Sequence, residues 1–143
     1  MRVLVSGAGG FIGRRLVPWL EREGHEVFAL SRREATGLHP VVLEGTDRAA
    51  LERSLSGIEL DAVINLAAAG VRPDERGIDV LTRVNAILPC ELLAAARAQG
   101  ARIFLQAGSS AEYGASTAQV RLTEDSAVIH DKPYGATKAI ATR

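Results

Sequence analysis

The chain has 143 residues, 47% hydrophobic and 24% charged, which suits one globular domain with a real apolar core and excludes a disordered or low-complexity chain. Seventeen basic residues balance seventeen acidic ones, so no bulk field favours nucleic acid or anionic lipid, and any anion has to be recognised locally. The single cysteine, Cys90, excludes an internal disulfide and a cysteine metal cluster, and no apolar run reaches membrane-spanning or signal-peptide length, so a cytoplasmic protein without membrane or nucleic-acid partners is expected.

In chain order, "RVLVS" (2–6) predicts a buried strand, followed by a glycine-rich turn and a helix from about Phe11 to Glu23. "EVFAL" (26–30) and "PVVLE" (40–44) predict a second and a third strand. A helix over 47–55 has Asp47 as its N-cap, and "DAVINLA" (61–67) predicts a fourth strand. A long helical pattern runs from about Asp79 to Gln99 and is closed by Gly100; "ARIFLQAG" (101–108) is the fifth strand, and a last helix starts near Tyr134. Strands that are apolar throughout imply burial on both faces. Their alternation with helices predicts a parallel sheet with right-handed crossovers, a doubly wound α/β fold of the Rossmann type in three layers, α/β/α. Residues 1–143 read as one domain. Pro18 and Pro89 fall inside helical patterns, where each is expected to cost about 3 kcal/mol and bend the helix. The long polar stretch from Tyr113 to Pro133 reads as a functional loop.

The turn after the first strand, "SGAGGFIG", places Gly7, Gly10 and Gly13 before a helix N-terminus. A turn without side chains lets a pyrophosphate approach the backbone, and the helix end supplies free N–H groups and partial positive charge. The spacing is G-x-x-G-x-x-G. "SGAGGFIG" resembles the "TGxxGFIG" signature of the extended short-chain dehydrogenase/reductase family, often described as NAD-dependent epimerases and dehydratases. The similarity continues through "DAVINLAAAG", Asn85 of the long helix, "GSSAEYG" and "YGATK", in the family's order. It implies a nicotinamide dinucleotide bound by Gly7, Gly10, Phe11, Ile12 and Gly13, by Leu66, Ala67 and Ala68 after the fourth strand, and by Tyr134 and Lys138. It also implies a nucleotide-sugar substrate and a homodimer. Members run considerably further than this chain, so a substrate-binding region is expected to be absent, with the fifth strand left as an unpaired edge.

In dinucleotide folds an acidic residue ending the second strand binds the adenosine ribose of NAD. Here Ser31 stands in that place, followed by Arg32 and Arg33. The missing carboxylate removes a repulsion against a 2′-phosphate and an arginine can grip one, so NADP is the expected cofactor, with NAD the alternative. Thr46 follows Gly45 and Asp47 comes one later, a departure from the family's adenine contact.

Tyr134 and Lys138 are four apart and share one face of a helix. A phenol by itself titrates near pH 10, and a neighbouring ammonium favours its ionised form. Tyr134 is thus the candidate general acid/base, with Lys138 tuning it and holding the nicotinamide ribose. The resemblance makes Ser109 the hydroxyl that binds the substrate oxygen, with Ser110 the neighbouring alternative. The family's 4,6-dehydratases need a carboxylate one or two residues after this serine, where the chain has Ser110 and Ala111; Glu112 comes one later and, on an extended segment, points to the other side from Ala111. Keto-sugar reduction or epimerisation is therefore favoured over dehydration. The alternatives are a non-catalytic NADP-binding module that senses redox state, and an inactive fragment. His25, His39 and His130 form no ligand-like pairing, Trp19 reads as packing, and no metal is expected.

Overall fold

The apolar run at the start of the chain becomes the middle of a sheet. In the computed structural model, which describes residues 1–31, 39–43, 45–71, 75, 77–114, 121–128 and 132–142, five parallel strands form. They are β1 (Arg2–Ser6), β2 (Glu26–Ser31), β3 (His39–Val42), β4 (Ala62–Asn65) and β5 (Ile103–Gln106), in the order β3-β2-β1-β4-β5. Both neighbours of β1 pair with it along its length, Val3 opposite Val27 and Ala62, and Val5 opposite Ala29 and Ile64. Val3, Leu4 and Val5 are accordingly buried.

The helices are α1 (Gly13–Arg22), α2 (Arg48–Ser54), α3 (Ile78–Thr82), α4 (Leu88–Ala98) and α5 (Pro133–Thr142), with a π turn over Arg83–Ile87 and a 3-10 turn over Ser110–Tyr113. The chain divides into two compact units. The first, Met1–Ala67 with Leu88–Ala107, holds the sheet, α1, α2 and α4; the second, Ala68–Ile87 with Gly108–Arg143, holds α3, both special turns and α5.

In the first unit the connection through α1 steps from β1 to β2, whereas that through α2 steps back past β1 to β4. Right-handed crossovers put these two helices on opposite faces. α4 continues in the direction of α2 and packs beside it, which gives the three expected layers. Val17 and Leu20 of α1 close over Val3, Val5, Val27, Ala29 and Ala62 as one apolar cluster. The direction of winding reverses between β1 and β4, and a doubly wound sheet has its ligand crevice outside the carboxyl ends of such strands.

One local expectation changes. Burial on both faces holds for the inner strands, but β5 at the sheet edge is shorter than expected and leaves Ile103 and Leu105 exposed. Pro89 lies within α4, just after the π turn. It withdraws the N–H that the Asn85 carbonyl would accept in an α-helix, and the π turn lies over this position before regular α4 continues. α1 likewise runs through Pro18, which is exposed. Asp47 caps α2 as expected: its Oδ1 accepts the Ala50 N–H at 3.0 Å, which holds the Asp47 carboxyl below its usual range. Of the Tyr113–Pro133 stretch, residues 115–120 and 129–131, including His130, lie outside the described residues. No helix among those described is long and apolar enough to cross a membrane.

Adjacent leucines on α4 test this packing. Leu92 is fully buried and Leu93 is 48% exposed. Urea unfolding should show Leu92→Ala losing about 2–5 kcal/mol and Leu93→Ala changing by no more than about 0.5 kcal/mol. Equal losses would refute the assignment of the buried face.

Candidate active site

The first unit supplies a cradle. β1 ends at Ser6 and the chain turns at Gly7, whose φ of 68° is left-handed and favours glycine. A Cβ at Gly7 would stand 2.9 Å from both the Ala67 nitrogen and the Leu66 carbonyl carbon, so the turn after β1 lies directly on the segment after β4. Gly10 donates its N–H to the Gly7 carbonyl at 2.9 Å. Gly13 opens α1, and the Gly7 and Ala8 carbonyls occupy the space where its Cβ would project. The N-cap, Ile12, makes no side-chain hydrogen bond, so no side chain competes for the first N–H groups of α1. A bare backbone turn ending at an uncapped ten-residue helix fits the pyrophosphate of a dinucleotide. Phe11 and Ile12 are exposed beside it, and the Arg14 and Arg15 guanidiniums lie 5.5 and 6.0 Å from the Phe11 ring centre.

A polar ladder, buried at Ser6 and Asn65 and not foreseen from the sequence, braces this end of the sheet. Ser6, Asn65 and Gln106 end β1, β4 and β5 in register. The Ser6 hydroxyl donates to Asn65 Oδ1, and Asn65 Nδ2 donates to Gln106 Oε1 at 2.7 Å. The Ala67 N–H is shared between Asn65 Oδ1 at 3.3 Å and Ser6 Oγ at 3.4 Å, which sets the start of the Leu66–Ala67 segment. Its signal was legible: each of these apolar runs ends in one polar residue.

The second unit brings together the proton-transfer candidates. Ser109 is the N-cap of the 3-10 turn, and its Oγ accepts the Ala111 N–H at 3.2 Å. That bond uses a lone pair and leaves the hydroxyl proton to donate elsewhere. Ser110 is exposed within the turn. Because this segment turns rather than extends, the simple alternation expected for Glu112 does not apply. Its buried carboxylate folds back, and Oε1 accepts the Ser109 N–H at 2.7 Å.

Tyr134 and Lys138 lie one turn apart on α5, as the spacing predicts. The Tyr134 ring rests on Gly70, where a Cβ would come within 2.7 Å of both Tyr134 Cδ2 and Leu81 Cδ2. Gly70 has φ 101°, so this small residue after β4 serves both backbone and ring. Gly135 packs where a Cβ would collide with the Ala111 carbonyl, docking α5 on the Ser109 turn. Asn85, within the π turn, ties α5 to the segment carrying Gly70. Its Oδ1 accepts the Ala69 N–H at 2.8 Å, and its Nδ2 donates to the Ala69 carbonyl at 3.1 Å and to Thr137 Oγ1 at 3.2 Å. Thr137 in turn donates to the Tyr134 carbonyl at 3.0 Å.

Lys138 is only 2% exposed. Burial pushes its ammonium below the usual lysine value of 10.5, and the charge of Glu112 opposes that effect. A lowered folded-state value means that the unfolded chain binds more protons just below pH 10.5, so this group's contribution to stability grows as pH rises through that window.

The profile of the NAD dependent epimerase/dehydratase family matches residues 3–143. UDP-glucose 4-epimerase of Corynebacterium glutamicum is 30% identical over 96% of this chain and 44% of its own length. Among solved structures, UDP-glucose 4-epimerase of Thermus thermophilus in complex with NAD superposes with a TM-score of 0.87 at 28% identity, over 99% of this chain and 49% of that one. MoeE5 in complex with UDP-glucose and NAD gives a TM-score of 0.81 at 33% identity, over 99% and 47%. The chain thus spans a little under half the length of the proteins it matches.

These matches overturn the expected preference for NADP, since both solved relatives hold NAD. The physical reason is that a neutral end to β2 removes a repulsion without supplying an attraction. The attraction was assigned to Arg32 and Arg33, which lie outside the described residues.

Two comparisons test the site's construction. Gly9 has open space around its Cβ position and Gly13 has none. Thermal melting and NADH titration should leave Gly9→Ala near wild type, while Gly13→Ala loses about 1–3 kcal/mol of stability and weakens binding. In denaturant unfolding as the pH is raised towards 10.5, the wild type should gain stability relative to Lys138→Met. A flat difference would contradict a desolvated ammonium.

Proposed function

Since the chain belongs to the NAD dependent epimerase/dehydratase family, we propose that it forms the cofactor half of an enzyme that epimerises or reduces a nucleotide sugar, with NAD as the dinucleotide. The observation that carries this reading is the grouping of Ser109, Tyr134 and Lys138 in one unit, two of them a single helical turn apart and one of these a buried ammonium. Two matched structures, one of which holds UDP-glucose with NAD, support the substrate class.

Gly7, Gly10 and Gly13, with Phe11 and Ile12, hold the pyrophosphate at the start of α1, and Leu66, Ala67 and Ala68 line the dinucleotide after β4. When bound, NAD supplies the acceptor and donor of hydride. The chain's own residues then manage the proton. The Tyr134 phenol oxygen takes the proton from the sugar hydroxyl as it becomes a carbonyl and returns it when the carbonyl is reduced. The Lys138 charge offsets the negative charge that builds on the reacting oxygens and holds the nicotinamide ribose. The Ser109 hydroxyl keeps its proton free to donate to the sugar oxygen. Dehydration is disfavoured because Ser110 and Ala111 carry no carboxylate.

A homodimer accords with the exposed Ile78, Val80, Ile87 and Ile140 of the second unit. Sedimentation velocity should then report two copies.

Activity is tested by interconversion of UDP-glucose and UDP-galactose with NAD, and by NADH oxidation with 4-keto sugar nucleotides. Tyr134→Phe should lower kcat by about 10²–10⁴-fold while NADH still binds. An unaltered rate would remove Tyr134 from the mechanism, and NADH binding without any turnover would favour a redox-sensing module or an inactive fragment.

A further inference from the structure

The turn that carries Ser109 is held by a side chain that the proposed chemistry leaves unused. Glu112 is 5% exposed, and both of its carboxylate oxygens are engaged within the fold. Oε1 accepts the Ser109 N–H at 2.7 Å, which with the Ser109 Oγ bond to the Ala111 N–H closes a reciprocal capping box. Oε2 accepts the Thr142 hydroxyl at 2.6 Å. Thr142 stands one helical turn beyond Lys138, so the same carboxylate reaches from the Ser109 turn to the far end of α5.

The near end of α5 is docked on this turn independently, where Gly135 meets the Ala111 carbonyl. Tyr134 lies beside that first attachment, and Lys138 lies between the two. A helix touching the turn only at Gly135 could pivot about that point; a second tie at Thr142 removes the pivot. Gly108 leaves room for the bridge, since a Cβ there would stand 3.1 Å from Glu112 Oε1. Both oxygens already accept bonds from the fold, and bonds to a charged acceptor are the strong ones. An acid/base carboxyl, by contrast, has to present an oxygen to substrate.

We propose that Glu112 is a positioning residue: it fixes the Ser109 hydroxyl against the Tyr134–Lys138 face of α5 by clamping the 3-10 turn to Thr142. The catalytic half of this inference rests on the reading of the second unit as a proton-transfer site. The structural half does not, so the experiment has two arms.

In the full chain, amide hydrogen exchange and steady-state kinetics are compared for wild type, Glu112→Ala, Glu112→Gln and Thr142→Val. Glu112→Ala should speed exchange of the Ser109 amide and lower kcat by about tenfold to a hundredfold, the worth of one charge-assisted hydrogen bond, while KM stays within about twofold of wild type. Glu112→Gln keeps an acceptor for the Ser109 N–H, so it should restore both the protection of that amide and most of kcat. Thr142→Val should leave the Ser109 amide protected and lower kcat by a smaller factor, because only the tie to α5 is cut. If Glu112→Ala does not fold, the Gln and Val variants decide the matter between them.

An unchanged Ser109 exchange rate in Glu112→Ala would overturn the clamp. A Glu112→Gln variant as inactive as Ala, with Ser109 still protected, would instead make the carboxylate itself an acid/base group. If wild type turns over none of the nucleotide sugars, the functional reading fails while the exchange arm still decides the clamp.

Discussion

The contact between Gly7 and the Leu66–Ala67 segment governs the cofactor end of the sheet. Two strands far apart in sequence, β1 and β4, become neighbours, and the backbone that leaves one lies against the backbone that leaves the other. Only a residue without a Cβ permits that approach at a left-handed φ. The reversal of winding at the same boundary keeps crossover helices away from the space beyond these strand ends. A dinucleotide can then lie across bare backbone at the start of α1. The Ser6–Asn65–Gln106 ladder holds the strand ends in register and steadies the Ala67 amide, with polar groups that would be costly to bury without one another.

The second unit follows a different construction. Its apolar contacts are supplemented by two buried side chains that each join distant segments through hydrogen bonds. Asn85 links Ala69 to Thr137, and Glu112 links Ser109 to Thr142. Both bring non-local segments to α5, the helix that bears Tyr134 and Lys138. A buried lysine needs such surroundings. The ammonium loses hydration on burial, and the nearby charge of Glu112 offsets part of that loss. Polar groups here therefore set geometry and electrostatics together, whereas in the first unit apolar burial sets the frame.

Much of this was visible in the residues. Short β-branched runs divided by helical patterns led to the parallel sheet, and the glycine spacing between the first strand and helix led to the cradle. The four-residue separation of Tyr134 and Lys138 placed them on one face, because an α-helix repeats every 3.6 residues. Long-range effects were misread. Pro89 gave no sign that a π turn would precede it, with Asn85 buried inside that turn. Glu112 was oriented by strand alternation although Gly114, at φ 67°, follows a compact turn. The arginines after β2 suggested a 2′-phosphate, but charge in a sequence carries no direction, and the solved relatives hold NAD.

The sequence by itself determined the periodicities, the glycines that free the backbone and the chemical types at each candidate position, because these depend on local sterics and side-chain chemistry. Only the tertiary structure decided that Glu112 bonds both Ser109 and Thr142, that Gly70 makes room for the Tyr134 ring and that Lys138 is buried. Each of those depends on which distant segment arrives next to the residue, and no spacing along the chain records that. The physical reason is that burial and hydrogen-bond partnership are properties of the packed assembly, whereas turn geometry and helical phase belong to the chain.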